Sequence, residues 1–223
     1  LARLLSCSGG ADEARESVAL AWLDAGADPF ADPDGSGGPL HHAVALGLER
    51  LALRLMERGV DVRRGDRSGA TPLHLALRHP DELALRLVLA LLRHGADPDA
   101  PSGSGETPLG LALDANRPLL IDWLRWRGWH VPGRRLASHD VVEAAQFGDL
   151  GAVRRLLALG LDINGRDRQG CTALIRAAGS GHCPVLNELL QHGADVAVRA
   201  HSGTTALVAA LLSGHDVLIE RLL

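Results

Sequence analysis

Lysine and tyrosine are absent from this 223-residue chain, and aromatic residues make up only 3% of it. All 23 basic side chains are therefore arginines, set against 27 acidic ones, for a net charge of −4. That balance gives no global reason to expect nucleic acid or an anionic membrane as a partner. The arginine-only usage reads either as a need for planar carboxylate recognition or as the codon bias of a GC-rich, bacterial genome. Scarce Asn, Ile and Phe beside abundant Ala, Gly and Leu favour the second. No apolar run reaches the roughly 18 residues of a membrane span, so no membrane insertion is expected. The three cysteines, Cys7, Cys171 and Cys183, cannot all pair within the chain. Free thiols point to a reducing compartment, and so to the cytoplasm. The chain begins at Leu1 rather than Met, so a segment, including a signal peptide, can precede it.

What the sequence does contain is a repeat. The segment "WLDAGADP" around Gly26 returns as "LMERGVDV" (Gly59), "LLRHGADP" (Gly95), "LLALGLDI" (Gly160) and "LLQHGADV" (Gly193). Gly128 fills the long gap between Gly95 and Gly160. A second motif runs in phase: "GPLHHA" from Gly38, "TPLHLA" from Thr71, "TPLGLA" from Thr107, "TALIRA" from Thr172 and "TALVAA" from Thr205. Two motifs in phase at a period near 33 resemble the ankyrin-repeat family over essentially the whole chain.

The physics of one repeat supports that resemblance. Thr71 can cap a helix and Pro72 fits its first position. Leu73, Ala76 and Leu77 then share a face. A second helix carries Leu83, Leu87, Val88, Leu91 and Leu92 and stops at His94-Gly95. The following "ADPDAPSGSGE" is turn chemistry. One such unit cannot form a core alone, whereas stacked units share one. The expected fold is all-α: an ankyrin-repeat solenoid of stacked helix-turn-helix units with β-hairpin-like connections. The resemblance implies that hairpin tips and first helices line the concave side.

Seven repeats are expected, the first and last partial, with Leu1 and Leu223 each falling inside a helix. The third is three residues longer, in "LRHPDEL" (Leu77 to Leu83), which reads as a longer loop. The fifth lacks the Thr-Pro start, so Ser138 or Asp140 is expected to cap its first helix. Two sub-arrays are expected, residues 1–131 (repeats 1–4) and 132–223 (repeats 5–7), within one continuous solenoid or as separate parts. Near this junction stand Trp123, Trp126 and Trp129 in "WLRWRGWHVPG". They either fill space opened by a shortened hairpin or form an aromatic patch for a partner. Trp123 and Trp126 lie one turn apart and can touch. Trp126 is expected to face outward on the convex side.

Most histidines have a repeat-based role: His41 and His74 in the "PLH" slot, His94 and His192 before terminal glycines, His182 and His215 at inter-helix turns. Cys171, His182 and Cys183 are too dispersed for a zinc site, and no metal is expected. Carboxylates such as Asp61, Asp97, Asp162 and Asp195 recur at one position of the repeat, which marks a structural role. No nucleophile elbow, phosphate loop or dinucleotide fingerprint is present, so neither an enzyme nor a cofactor is expected.

The candidate partner-binding residues come from the hairpins and first helices: Arg67, Ser68, Leu75, Ser104, Glu106, Leu111, Arg134, Arg135, Glu143, Arg168, Gln169 and Arg176. By the resemblance, Leu75 and Leu111 point into the concave groove and form an exposed apolar strip, which turns polar at Glu143 and Arg176. Hairpin arginines Arg63, Arg64, Arg67, Arg134, Arg135, Arg166, Arg168 and Arg199 interleave with Asp61, Asp66, Asp162, Asp167 and Asp195, predicting a locally neutralised rim. The function implied is a non-catalytic scaffold that binds a partner protein. The alternative is a targeting or substrate-recruiting module of a larger enzyme or secreted effector whose catalytic region lies outside this chain.

Overall fold

The computed structural model describes residues 12–32, 35–126 and 134–223. The expectations placed on Leu1, Cys7 and Trp129 lie outside them. Thirteen helices occupy the described residues, which contain no strand. The N-terminal seven are α1 (Asp12–Asp24), α2 (Gly38–Ala45), α3 (Glu49–Glu57), α4 (Pro72–Ala76), α5 (Asp81–Arg93), α6 (Pro108–Asp114) and α7 (Pro118–Arg125). Then follow α8 (Ser138–Gln146), α9 (Leu150–Ala158), α10 (Ala173–Ser180), α11 (Cys183–Gln191), α12 (Ala206–Leu212) and α13 (Asp216–Leu222). From α2 onward they form consecutive helix pairs, one per repeat, and α1 stands as the second helix of the first. Both helices of the last repeat are present, the second running to Leu222.

The chain separates into two compact blocks, Leu1–Arg135 and Leu136–Leu223. Within each, a first helix packs on its own second helix and on the first helices of adjacent repeats. The N-terminal block is organised around fully buried Leu40, Leu51, Leu55, Leu73, Leu87 and Leu124. Leu156, Leu174, Leu186 and Leu189 have the same role in the C-terminal block.

Local chemistry starts the first helices. The hydroxyls of Thr107, Thr172 and Thr205 accept from the backbone N–H groups of Gly110, Ile175 and Val208 at 3.0, 3.4 and 3.3 Å. Thr71 is coupled to His74 instead. Its N–H donates to Nδ1 at 3.0 Å, and its hydroxyl lies 2.9 Å from the same nitrogen. Nδ1 is therefore the acceptor nitrogen, and Nε2–H donates to the Glu106 carbonyl of the next repeat at 3.0 Å. One imidazole thus closes a helix start and ties two repeats. His41 repeats the outer half, with Nε2 at 3.2 Å from the Ala70 carbonyl.

Two local expectations are corrected. The extra residues of the third repeat lengthen a helix more than a loop, for residues 77–80 separate α4 from α5 where 46–48 separate α2 from α3. Pro80 stands at the N-cap, Asp81 and Glu82 follow in the first turn, and α5 runs for 13 residues against nine in α3. Acidic residues there suit the helix dipole, so the insertion becomes an added helical turn. The cap of α8 is Ala137, not Ser138 or Asp140. Asp140 acts from the third helical position, accepting from the Ala137 N–H at 2.7 Å. Trp126 is half-buried. Its ring meets Trp123 edge to face, with centroids 6.4 Å apart and planes at 87°, while Trp123 packs against the core.

The hairpins between repeats are tight turns closed by backbone bonds, such as Asp66 N–H to the Ala70 carbonyl and Asp167 N–H to that of Cys171, both 3.0 Å. Successive tips meet through one bond each: Gly103 N–H to the Ser68 carbonyl at 2.7 Å, and His201 N–H to that of Gln169 at 3.0 Å. The first contact needs glycine, because a Cβ on Gly103 would lie 2.6 Å from the Ser68 carbonyl oxygen.

Candidate partner-binding grooves

Hairpin tips and first helices create a groove in each block. In the N-terminal block it has a volume of about 760 Å3. Arg67, Ser68, Ser102, Ser104 and Glu106 of two hairpins form one wall, and His74, Arg78, Leu111 and Ala115 the other. In the C-terminal block a groove of about 630 Å3 lies between α8 and the next repeat. His139, Glu143, Gln146 and Phe147 face Arg166, Asp167, Arg168, Gln169 and Arg176. Two further hollows, of about 330 and 480 Å3, continue it toward α12 and the 197–203 hairpin, and Arg176 lines all three.

The structure gathers Arg67, Ser68, Ser104, Glu106 and Leu111 in the first groove and Glu143, Arg168, Gln169 and Arg176 in the second. Leu75 is the main correction. It is only 8% exposed and belongs to the core, because α4 is packed by both α2 and α6. Leu111 is half-buried against the same core, so the expected exposed leucine strip does not form. Arg134 and Arg135 line neither groove. Phe147, 67% exposed at the rim, and Arg78 were not singled out from the sequence. Phe147 was legible as one of only two phenylalanines, placed at a polar helix end.

The neutralised rim also needs revision. Asp61 and Asp32 do pair with Arg63 at 3.6 Å and Arg64 at 2.8 Å. Asp167 pairs with Arg176, whereas Asp66, Asp162 and Asp195 face their own backbone. Asp66 accepts from Ser68 N–H and Oγ–H and from Ala70 N–H, and Asp162 and Asp195 accept from Asn164 and Ala197 N–H. This confirms the structural role read from their recurrence. It also leaves Arg67, Arg78, Arg166 and Arg168, all exposed, without an ion-pair or hydrogen-bond partner among the described residues.

Arg176 is held differently. Its Nε and Nη2 donate to Asp167 Oδ2 at 2.9 and 2.5 Å, and Nη2 also donates to Gln169 Oε1. Burial disfavours the Asp167 carboxylate, but donation from Arg176, Cys171 N–H and Gln169 N–H outweighs it and lowers the pKa. Burial likewise opposes ionisation of Asp66, and its Ser68 and Ala70 hydrogen bonds lower its pKa in net. Burial pushes the Cys171 thiol up. Among the described residues, no cluster of three or more His, Cys, Asp or Glu could hold a metal, and no helix is long and apolar enough to cross a membrane.

Repeating helix pairs, joined by hairpins whose tips and first helices form the clefts, define a helical-repeat protein of the interaction-module type. Comparison with known proteins gives the particular family. The family model for ankyrin repeats (three copies) matches residues 40–128 and 141–223, and the chain belongs to the ankyrin-repeat family. Ankyrin repeats are generally protein–protein interaction modules. A similar curated protein is the ankyrin repeat-containing protein P1E11.10 of Schizosaccharomyces pombe, 38% identical over 63 residues. That match covers 28% of this chain and 30% of the yeast protein.

Proposed function

We propose that this chain is a non-catalytic scaffold that binds a partner protein along its hairpin tips and first helices. The observation that carries the reading is the position of the grooves. Both are walled by hairpin and first-helix side chains of neighbouring repeats, including Arg67, Ser68, Glu106, Glu143 and Arg176. The second helices instead carry ion pairs between repeats, such as Arg86 to Glu49 at 2.8 Å and Arg154 to Glu188 at 2.7 Å. Those charges are already matched, whereas several groove arginines are not. The two compact blocks support reading the chain as two sub-arrays, residues 1–131 and 132–223, each with its own groove.

Site-specific photo-crosslinking in source cells tests this. A benzophenone side chain at Arg67 or Glu143 should capture a protein, and one at exposed Arg50 or Ala158 on the second helices should not. Capture from the second helices alone would remove the reading.

A further inference from the structure

We infer that the C-terminal groove takes an extended, acidic segment of a partner protein, about six residues long, with apolar side chains at its two ends. This rests on the scaffold reading above and specifies its ligand. The length follows from the three connected hollows, which run from α8 past α10 to α12. Neighbouring helices pack about 10 Å apart, so the path is about 20 Å. At about 3.3 Å per residue, that distance takes about six residues of extended chain.

The acidic character follows from the arginines. Arg166 and Arg168 line the hairpin wall, exposed and without a partner among the described residues. Arg176 stands at the centre of the path, with Nε and Nη2 fixed on Asp167 and Gln169. Nη1 forms no hydrogen bond among the described residues, so this fixed guanidinium can still donate to a segment in the groove with little loss of rotamer freedom. The acidic groups in the groove do not cancel this wall. Asp167 and Arg176 neutralise one another, so the acidic preference rests on Arg166 and Arg168, with which Glu143 forms no ion pair.

The apolar ends follow from Phe147, 67% exposed at one end, and Leu212, 79% exposed at the other. A polypeptide answers both features, since carboxylates and apolar side chains can alternate along it. A nucleic acid would bring phosphates to the arginines but carries no aliphatic side chain to meet Leu212.

The test is phage display of random 12-residue peptides on the full chain and on an Arg166→Glu/Arg168→Glu variant. Both side chains are exposed, so the variant should keep the wild-type circular dichroism and melting curve. The expected result is enrichment of Asp/Glu runs flanked by Phe, Leu or Ile. A synthetic consensus peptide should bind at least about tenfold more weakly to the double variant and to Phe147→Ser. Enriched peptides that are basic or neutral, or that bind the charge-reversed variant equally well, would overturn the ligand assignment and leave the scaffold reading standing. So would tighter binding of a single-stranded oligonucleotide than of the consensus peptide. No enrichment, while groove crosslinks persist, refutes the extended-segment ligand alone. No enrichment together with no groove crosslinks refutes the scaffold reading as well.

Discussion

Arg117 offers the sharpest test of how one repeat is fastened to the next. Its side chain is only 13% exposed. Nη1 and Nη2 donate to the Leu77 and His79 carbonyls at 2.6 and 2.9 Å, and Nε to Asp81 Oδ1 at 2.5 Å. Those acceptors span the connection from α4 to α5, so one guanidinium from the fourth repeat closes the irregular backbone of the third. Charge-assisted hydrogen bonds contribute about 1.5–3 kcal/mol each. The Asp81 carboxylate is 77% exposed, so its share is small. The two carbonyl bonds, taken at the lower end because their surroundings are half-buried, give about 3 kcal/mol. Arg117→Met keeps the apolar stem and removes the bonds. With a urea slope of about 2 kcal/mol per molar, the midpoint should fall by about 1.5 M. Trp22, Trp123, Trp126 and Trp129 are the only four tryptophans and all precede Arg135, so tryptophan fluorescence reports the N-terminal block alone. Arg117→Lys, which offers one point donor in place of a fork, should recover less than half of the loss. An Arg117→Met midpoint within about 0.3 M of wild type, or a lysine variant equal to wild type, would refute the fastening role.

Burial lowers the His41 pKa against the opposing backbone hydrogen bonds of Gly37 and Ala70. The unfolded chain then binds the proton more readily, so stability is intact above the ordinary histidine range and is lost as pH falls through that range toward the folded pKa. A His41→Gln variant should show a flatter urea midpoint between about pH 7 and 5. Gly103→Ala should destabilise by about 1–3 kcal/mol, because the new methyl meets the Ser68 carbonyl and must push adjacent hairpins apart; the loss is read from fluorescence-monitored urea unfolding. Leu87→Ala, at a fully buried site, should cost about 2–5 kcal/mol in the same assay. Iodoacetamide with peptide mapping should label half-buried Cys183 well before buried Cys171, whose thiol pKa is raised.

The all-helical repeat architecture was legible because the signals were local and recurrent. The Thr or Gly start, the apolar spacing and the terminal glycine each specify a helix boundary, and they recur often enough to outvote any weak copy. What could not be read were properties set by neighbours. Leu75 and Leu111 occupy equal slots, but only the structure shows that α2 and α6 enclose Leu75. The interleaved Asp and Arg of the hairpins predict charge pairing, yet Asp66, Asp162 and Asp195 satisfy backbone N–H groups two residues on, a preference that composition hides. The added residues of the third repeat could have entered a loop or a helix. Pro80 followed by two acids decided for the helix, and that signal was present in the sequence. Arg117 was invisible because its three acceptors lie about a repeat upstream.

The single backbone bond between neighbouring hairpin tips has a mechanical consequence. The helical layers beneath are locked by interdigitated leucines, while the tips share one backbone hydrogen bond apiece, with side-chain links such as Asn164 to Asp195 N–H nearer the hairpin bases. Opening or closing the mouth between two tips disturbs few contacts, whereas shearing the helices disturbs many. Relative movement of neighbouring repeats should therefore be easiest along the hairpin edge, with the helices behind it held in place.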